Sequence, residues 1–256
     1  MDNQARSEEK KTLFLFDVDG TLTPSREKVT EEMLTFLRSL KDHGLTGFVG
    51  GSDLCKQKEQ LGEECLKLFD FCFPENGLHF IKNGQEVSSQ SYLEYVGEPT
   101  HTKLVNKIMQ LMSEIDLPVK RGNFIELRSS MVNISPVGRS CSKEERKSFC
   151  AYDKEHKVRE KMVTELKKDF GTVLTFSIGG EISIDIFPIG WDKTYCLNHL
   201  AKEAIGDIHF FGDMTHQGGN DYEISTDARV FSHTVTSPAD TIVQVKEVIA
   251  SLGHTS

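Results

Sequence analysis

An α/β core with a mostly parallel sheet, interrupted by an inserted α+β domain on an antiparallel sheet, is the architecture this sequence predicts. Three observations carry it. Strand–helix–strand units fill the first eighty or so residues, an alternating, arginine-bearing stretch follows, and the strand–helix rhythm then returns. The core is expected at residues 1–85 and 189–256, and the smaller inserted domain at 86–188.

Leu13 to Phe16 form a short apolar run that Gly20 breaks, which reads as a buried strand entering a tight turn. Ser25 is the expected N-cap of a helix whose apolar stripe is Val29, Met33, Leu37 and Leu40, with Gly44 as its stop. A second strand, Leu45 to Val49, ends in Gly50-Gly51-Ser52-Asp53; Asp53 to Leu66 reads as helix. A third strand, Phe69 to Phe73, enters Pro74-Glu75-Asn76-Gly77. In the insertion, Leu104, Ile108, Leu111, Met112 and Ile115 mark a helix, and strands follow at Asn123 to Arg128 and Met131 to Ser135. A charged helix spans roughly Lys143 to Lys168, and a long strand region covers Val173 to Phe187. The core resumes with a helix from about Lys193, strands Ile208 to Phe211 and Val230 to Val235, and a final helix after Pro238.

Composition narrows the function classes. A net charge of −9 leaves no basic stripe for nucleic acid, and no apolar stretch reaches the ~18 residues of a membrane span. Met1 to Lys11 is too polar for a signal peptide and reads as a frayed tail. The six cysteines show neither Cys-x-x-Cys spacing nor a histidine at metal-site spacing, so reduced thiols and a cytoplasmic location are expected.

The most informative residues are Asp17 and Asp19, at the carboxyl end of the first strand, the sheet edge where open α/β folds bind ligands. An aspartate there serves as metal ligand, nucleophile or turn former. Phe210-Phe211-Gly212-Asp213, followed by Gly218-Gly219-Asn220-Asp221, repeats the pattern. If the two strands are neighbours, their carboxylates converge and need a counter-ion, and a hard oxygen set suits Mg²⁺. Gly50-Gly51-Ser52-Asp53 offers backbone amides and a hydroxyl to a phosphoryl group, although such a loop is also a common cap. Lys193, at the start of a helix, does nothing for the helix dipole, which leaves offsetting carboxylate and phosphate charge as its task. In the insertion, Arg128, Arg139 and Arg146 are candidates for bidentate phosphate binding or solvated surface charges. Around Ile182, Ile184 and Ile186 the period is two, which turns Ser183 and Asp185 to one face, where they meet either solvent or sugar hydroxyls.

Together these segments resemble the haloacid dehalogenase (HAD) superfamily and, within it, the eukaryotic-type phosphomannomutase family, over nearly the whole chain after residue 12. The resemblance rests on Phe16 to Thr23, Gly50 to Asp53, Glu75-Asn76-Gly77, Arg121 to Glu126, Asn133 to Cys141, Asp185 to Leu197, and Phe211-Gly212-Asp213 through Asp221. It implies a Rossmann-like HAD core with a substrate-binding cap and a homodimer formed through the caps. It also implies that Asp17 is a nucleophile forming an aspartyl-phosphate and that Asp19 is its acid/base partner. Mg²⁺ would be held by Asp17, the backbone carbonyl of Asp19, and Asp213, with Asp221 beside them. Ser52 and Lys193 would stabilise the transferring phosphoryl group. Arg128, Arg139, Arg146, Ser183 and Asp185 would hold the distal phosphate and sugar. A hexose 1,6-bisphosphate would act as activator in interconverting mannose 6-phosphate and mannose 1-phosphate.

Three positions depart from the family pattern: Ser129-Ser130 where Asn-Gly is usual, Met214 in place of a lysine, and Ser232 where glycine is frequent. The first would redirect the turn presenting Arg128 if that turn needs positive φ. Two rival readings stand beside the mutase one. A sugar-phosphate phosphatase uses the same Asp17 and Asp19 but lets water resolve the aspartyl-phosphate, and the cap match counts against it. A catalytically weak binding or regulatory protein keeps the fold, and the intact acidic set argues against it.

Overall fold

The computed structural model describes residues 10–25 and 27–253. The tail expected at Met1 to Lys11 lies outside these residues through position 9, whereas Lys11 already opens the first strand. In chain order, the first part holds β1 (Lys11–Phe16), α1 (Glu31–Leu40), β2 (Leu45–Val49), α2 (Leu54–Leu61), α3 (Cys65–Leu68), β3 (Phe71–Phe73), β4 (His79–Lys82) and β5 (Gln85–Ser89). Thr30, not Ser25, caps α1: its Oγ1 accepts from the Met33 amide at 3.2 Å, and Glu31 and Glu32 fill the first turn. The single helix expected from Asp53 to Leu66 is two, because Gly62 takes φ +89° and ends α2.

The chain continues through α4 (Tyr92–Val96), α5 (Glu98–Glu114), β6 (Ile125–Leu127), β7 (Val132–Ile134), α6 (Lys143–His156), α7 (Val158–Phe170), β8 (Leu174–Gly179) and β9 (Ser183–Pro188). Ser142 and Glu145 form a reciprocal capping box at the start of α6. The charged helix expected as one piece is split at Lys157, which adopts φ +56°. The strand region expected at Val173 to Phe187 is likewise a hairpin, with β8 and β9 antiparallel. The sheet order is β6-β7-β9-β8, with every pair antiparallel. Its apolar face carries Val132, Ile134, Ile184 and Ile186, all buried, and α7 packs on β8 and β9.

The last part holds α8 (Tyr195–Leu200), β10 (Ile205–Gly212), α9 (Tyr222–Ser225), β11 (Phe231–Thr234) and α10 (Pro238–Leu252). The helix expected from Lys193 starts two residues later, because the Asp192 carboxylate accepts from the backbone and hydroxyl of Thr194 and holds a turn there. A seven-stranded sheet runs β11-β10-β1-β2-β3-β4-β5. Its first five strands are parallel, while β4 and β5, which the sequence did not reveal, add an antiparallel edge. One face packs Phe14, Phe16, Phe48 and Phe211 against α1 and α10; the other packs Leu13, Leu15, Phe73 and Phe210 against α8. Each such fully buried side chain contributes about 1.5–3 kcal/mol, so β1 is anchored on both faces. The described residues fall into two compact units, one running through Ser89 and resuming at Trp191, the other Gln90–Gly190.

Candidate active site

The pairing of β1 with β10 decides which carboxylates meet. Phe16 lies opposite Phe211, and the Asp17 amide continues the ladder by donating to the Phe211 carbonyl at 2.9 Å. Asp17 and Asp213 therefore leave neighbouring strands at the same edge. The loop after Asp213 returns Asp221, whose Oδ2 accepts from the Met214 amide at 3.1 Å while its own amide donates to the Met214 carbonyl at 3.2 Å. The Met214 departure thus leaves the backbone brace of Asp221 in place. Gly20, at φ +82°, passes so close to Asp213 that an added Cβ would lie 2.4 Å from its Oδ2; only glycine fits beside that carboxylate.

Asp17, Asp213 and Asp221 offer carboxylate oxygens all within 4.8 Å of one another. The Lys193 ammonium donates to Asp17 Oδ1 and, at 2.5 Å, to Asp221 Oδ1, and all three side chains are buried. Burial pushes the Asp17 carboxyl up to about 7, with Lys193 pulling it back and Asp221 adding to the rise. Burial alone would lower the Lys193 pKa, but the two carboxylates outweigh it and raise it. Burial, then Asp221, raises Asp213 as well. One ammonium against three carboxylates leaves the cluster anionic, and Asp17 Oδ2 is buried without a hydrogen-bond partner. An all-oxygen, anionic cluster with an orphaned carboxylate oxygen fits a divalent cation such as Mg²⁺.

Asp19 lies outside that trio. Its Oδ1 accepts from Gln60 Nε2 at 2.8 Å, so α2 holds the carboxylate in place. Ser52 ends the loop after β2, and its carbonyl accepts from the Glu75 amide at 3.0 Å. Gln60 was missed by sequence reasoning because its partner is 41 residues away and no local pattern marks it.

The second unit carries its own polar row. Glu126, Asn133, Asp185 and Ser177 lie directly opposite one another across β6, β7, β9 and β8. Glu126 Oε2 accepts from Arg128 Nη2 at 2.9 Å and pairs with Arg139 Nε at 3.0 Å. The hydrogen bond from Arg128, with the charge of both arginines, holds the Glu126 carboxyl below its usual range despite some desolvation. Asn133 Oδ1 accepts from Arg139 Nη1 at 2.7 Å, and its Nδ2 donates to Asp185 Oδ1 at 2.6 Å. Arg128, Arg139 and Asp185 are therefore brought together. Arg146 instead pairs with Glu181 at 3.6 Å, and the Ser183 carbonyl accepts from the buried Arg159. The Ser129-Ser130 turn closes with the Arg128 amide donating to the Met131 carbonyl at 2.8 Å. Neither serine takes positive φ, so loss of the usual glycine does not force the turn. Asn133 was missed too, although the period-two alternation of Val132-Asn133-Ile134 already turns it away from the apolar face.

The eukaryotic phosphomannomutase family model matches residues 33–251. The phosphomannomutase of Schizosaccharomyces pombe is 54% identical over 244 residues, covering 93% of this chain and 94% of its own. That of Encephalitozoon cuniculi is 52% identical over 246 residues, 96% of each chain. Among solved structures, the IMP-nucleotidase of Plasmodium falciparum superposes with TM-score 0.62 at 18% identity, over 95% of this chain and 69% of that one. Trehalose-6-phosphate phosphatase of Aspergillus fumigatus gives 0.59 at 18% identity, over 94% and 93%. At such identities these two speak for the fold alone.

Proposed function

The chain belongs to the eukaryotic phosphomannomutase family and is an enzyme of the phosphomutase class, and from that premise we propose that it interconverts mannose 6-phosphate and mannose 1-phosphate. One observation supports the chemistry above the rest: a buried Asp17 carboxylate at a strand end, with Oδ1 held by Lys193 and Oδ2 unpartnered.

The cycle begins with a phosphoryl group on Asp17, supplied by a hexose 1,6-bisphosphate. The O1 hydroxyl of mannose 6-phosphate attacks that phosphorus, Asp19 takes the hydroxyl proton, and Asp17 leaves as carboxylate. The resulting mannose 1,6-bisphosphate reorients. Asp17 then attacks the phosphorus on O6 while Asp19 returns the proton to O6, so mannose 1-phosphate departs and the aspartyl-phosphate is restored. Gln60 suits Asp19 to this task by fixing its carboxylate. Lys193 and Ser52 stabilise the charge on the moving phosphoryl group. Asp17, Asp213 and Asp221, with the main-chain carbonyl of Asp19, would hold Mg²⁺, which supplies positive charge to the phosphoryl oxygens. Arg128, Arg139, Arg146, Ser183 and Asp185 bind the phosphate not being transferred and the sugar hydroxyls.

Mannose 1-phosphate incubated with the protein, Mg²⁺ and a catalytic amount of glucose 1,6-bisphosphate should yield mannose 6-phosphate. Free phosphate as the dominant product would replace the mutase reading with the phosphatase one. A parallel reaction with glucose 1-phosphate settles the preferred hexose.

A further inference from the structure

Arg139 and Asp185 present a physical problem that Asn133 solves. An arginine and an aspartate on one sheet face, left to themselves, close into a bidentate ion pair that neutralises both. Such a pair would present neither a guanidinium to a phosphate nor a carboxylate to hydroxyls. Here the Asn133 amide stands between them, its Oδ1 on the guanidinium and its Nδ2 on the carboxylate. No other uncharged side chain of this length offers an acceptor on one end and a donor on the other.

Asn133 is itself buried, at 3% exposure, in the middle of β7, and its strand neighbours Val132 and Ile134 are locked in the apolar layer. The amide cannot swing away. On the far side, Glu126 takes Arg139 Nε, so the guanidinium is fixed along two edges. Its Nη2 and the Asp185 Oδ2 carry no hydrogen bond among the described residues, which leaves each group one polar edge to offer. Arg139 is placed by the backbone as well. Its amide donates to the Asn123 carbonyl at 3.2 Å, and the preceding Gly138, at φ +89°, lies against Gly122 so tightly that a Cβ would come 2.3 Å from its carbonyl oxygen.

We infer that Asn133 is a positioning residue that insulates Arg139 from Asp185 and fixes the distance between them, and so sets the affinity for the hexose phosphate. The inference rests on the reading that Arg139 and Asp185 bind substrate.

The test is steady-state kinetics of the full-length enzyme with mannose 1-phosphate, Mg²⁺ and glucose 1,6-bisphosphate. For N133A, KM should rise about tenfold or more, the scale of a hydrogen bond to a charged group, with kcat changed by less than about threefold. N133D provides the sharper readout. At pH 8 its carboxylate faces Asp185 and neutralises Arg139, so KM should be high. Two carboxylates at hydrogen-bond distance share a proton readily, and a protonated aspartate reproduces the asparagine, with a carbonyl for Arg139 and a hydroxyl for Asp185. Among the described residues, the charged groups around the pair are Arg139 and, behind it, Glu126 and Arg128 on the same sheet, with Arg159 of α7 on the Gly179 and Ser183 carbonyls beside Asp185, all in the parent too. The ratio of N133D to parent KM should therefore fall at least about threefold between pH 8 and pH 6. If N133A fails to fold, that ratio decides alone. A flat ratio, or a parental KM for N133A, overturns the inference. R139A and D185N, measured alongside, separate the two failures: parental KM values in both would remove the premise, whereas raised values with an unaltered N133A would remove only Asn133.

Discussion

Burial divides the two polar clusters. Asp17, Lys193 and Asp221 are each at most 3% exposed, with Asp213 half-buried beside them, while the side chains of Glu126, Arg128 and Arg139 are exposed by 37–44%. Both clusters are built of ion pairs, yet their charge balance is opposite. The first sets one ammonium against three carboxylates and is incomplete without further positive charge. The second sets Arg128 and Arg139 against Glu126 and Asp185 and is balanced as it stands. A buried, unbalanced cluster suits a fixed reaction centre, because dipoles and charges in a dry site act strongly and need no rearrangement. A balanced, half-exposed one suits recognition, because solvent screens its pairs and an arriving dianion can replace a carboxylate partner.

The largest expected effect breaks the first cluster. D17N should lose at least about 10⁴-fold in kcat and all of the base-labile phosphoenzyme formed from glucose 1,6-bisphosphate. A phosphoenzyme surviving in D17N would move the nucleophile elsewhere. K193M comes next, with kcat down by about 10²–10³-fold. It also strips the one cation that pairs with Asp17 and Asp221 among the described residues, so urea titration in EDTA should show a loss of about 3–5 kcal/mol. An unchanged urea midpoint would mean that the carboxylates take up protons instead.

The fixed site was the more legible of the two. A Phe/Leu strand ending in Asp17-Val18-Asp19-Gly20 and a second ending in Gly212-Asp213 need only the parallel-sheet rule to meet. The local errors have local causes. Ser25 and Thr30 are both cap-forming residue types, and it is the Thr30 hydroxyl that meets the Met33 amide. Lys157 breaks a helix with no glycine or proline to announce it. The polar row of the second unit was partly hidden for a different reason. Arg128, Arg139 and Asp185 stand out as charges, but Glu126 and Asn133 acquire their partners through strand register, which sets Glu126 of β6 opposite Asn133 of β7 and Asn133 opposite Asp185. Register depends on contacts 52 residues apart in the chain, such as that between Asn133 and Asp185.

Breaking the exposed cluster should therefore divide the effects differently. R139A should raise KM for mannose 1-phosphate about ten- to a hundredfold, since a charge-assisted contact is lost. Its stability should change by no more than about 1–2 kcal/mol, because its pair with Glu126 is solvent-screened and only the Asn133 acceptor is buried. A stability loss matching that of K193M, with KM unmoved, would reverse the roles assigned to the two clusters.

The smallest effect is one of sign, and it sets the two regions against each other directly. The Asp17 carboxyl is raised by burial from 3.8 to about 7 in the folded protein. Between those values the folded chain holds a proton that the unfolded chain has released, so acidification through that window favours folding. Glu126 behaves in the opposite way. Its carboxyl is held below its ordinary 4.5, chiefly by the Arg128 hydrogen bond, so its contribution is whole above that value and is lost as pH falls below it. In EDTA, the melting temperature of the parent should therefore hold up better from pH 8 to pH 5 than that of D17N, which lacks the Asp17 carboxyl and keeps only Asp213 and Asp221 at the site. From pH 5 to pH 3.5 the parent should fall further than E126Q, by no more than about 2 °C for so exposed a pair. If D17N and E126Q shifted the profile in the same direction, burial would not be what distinguishes the reaction centre from the polar row of the second unit.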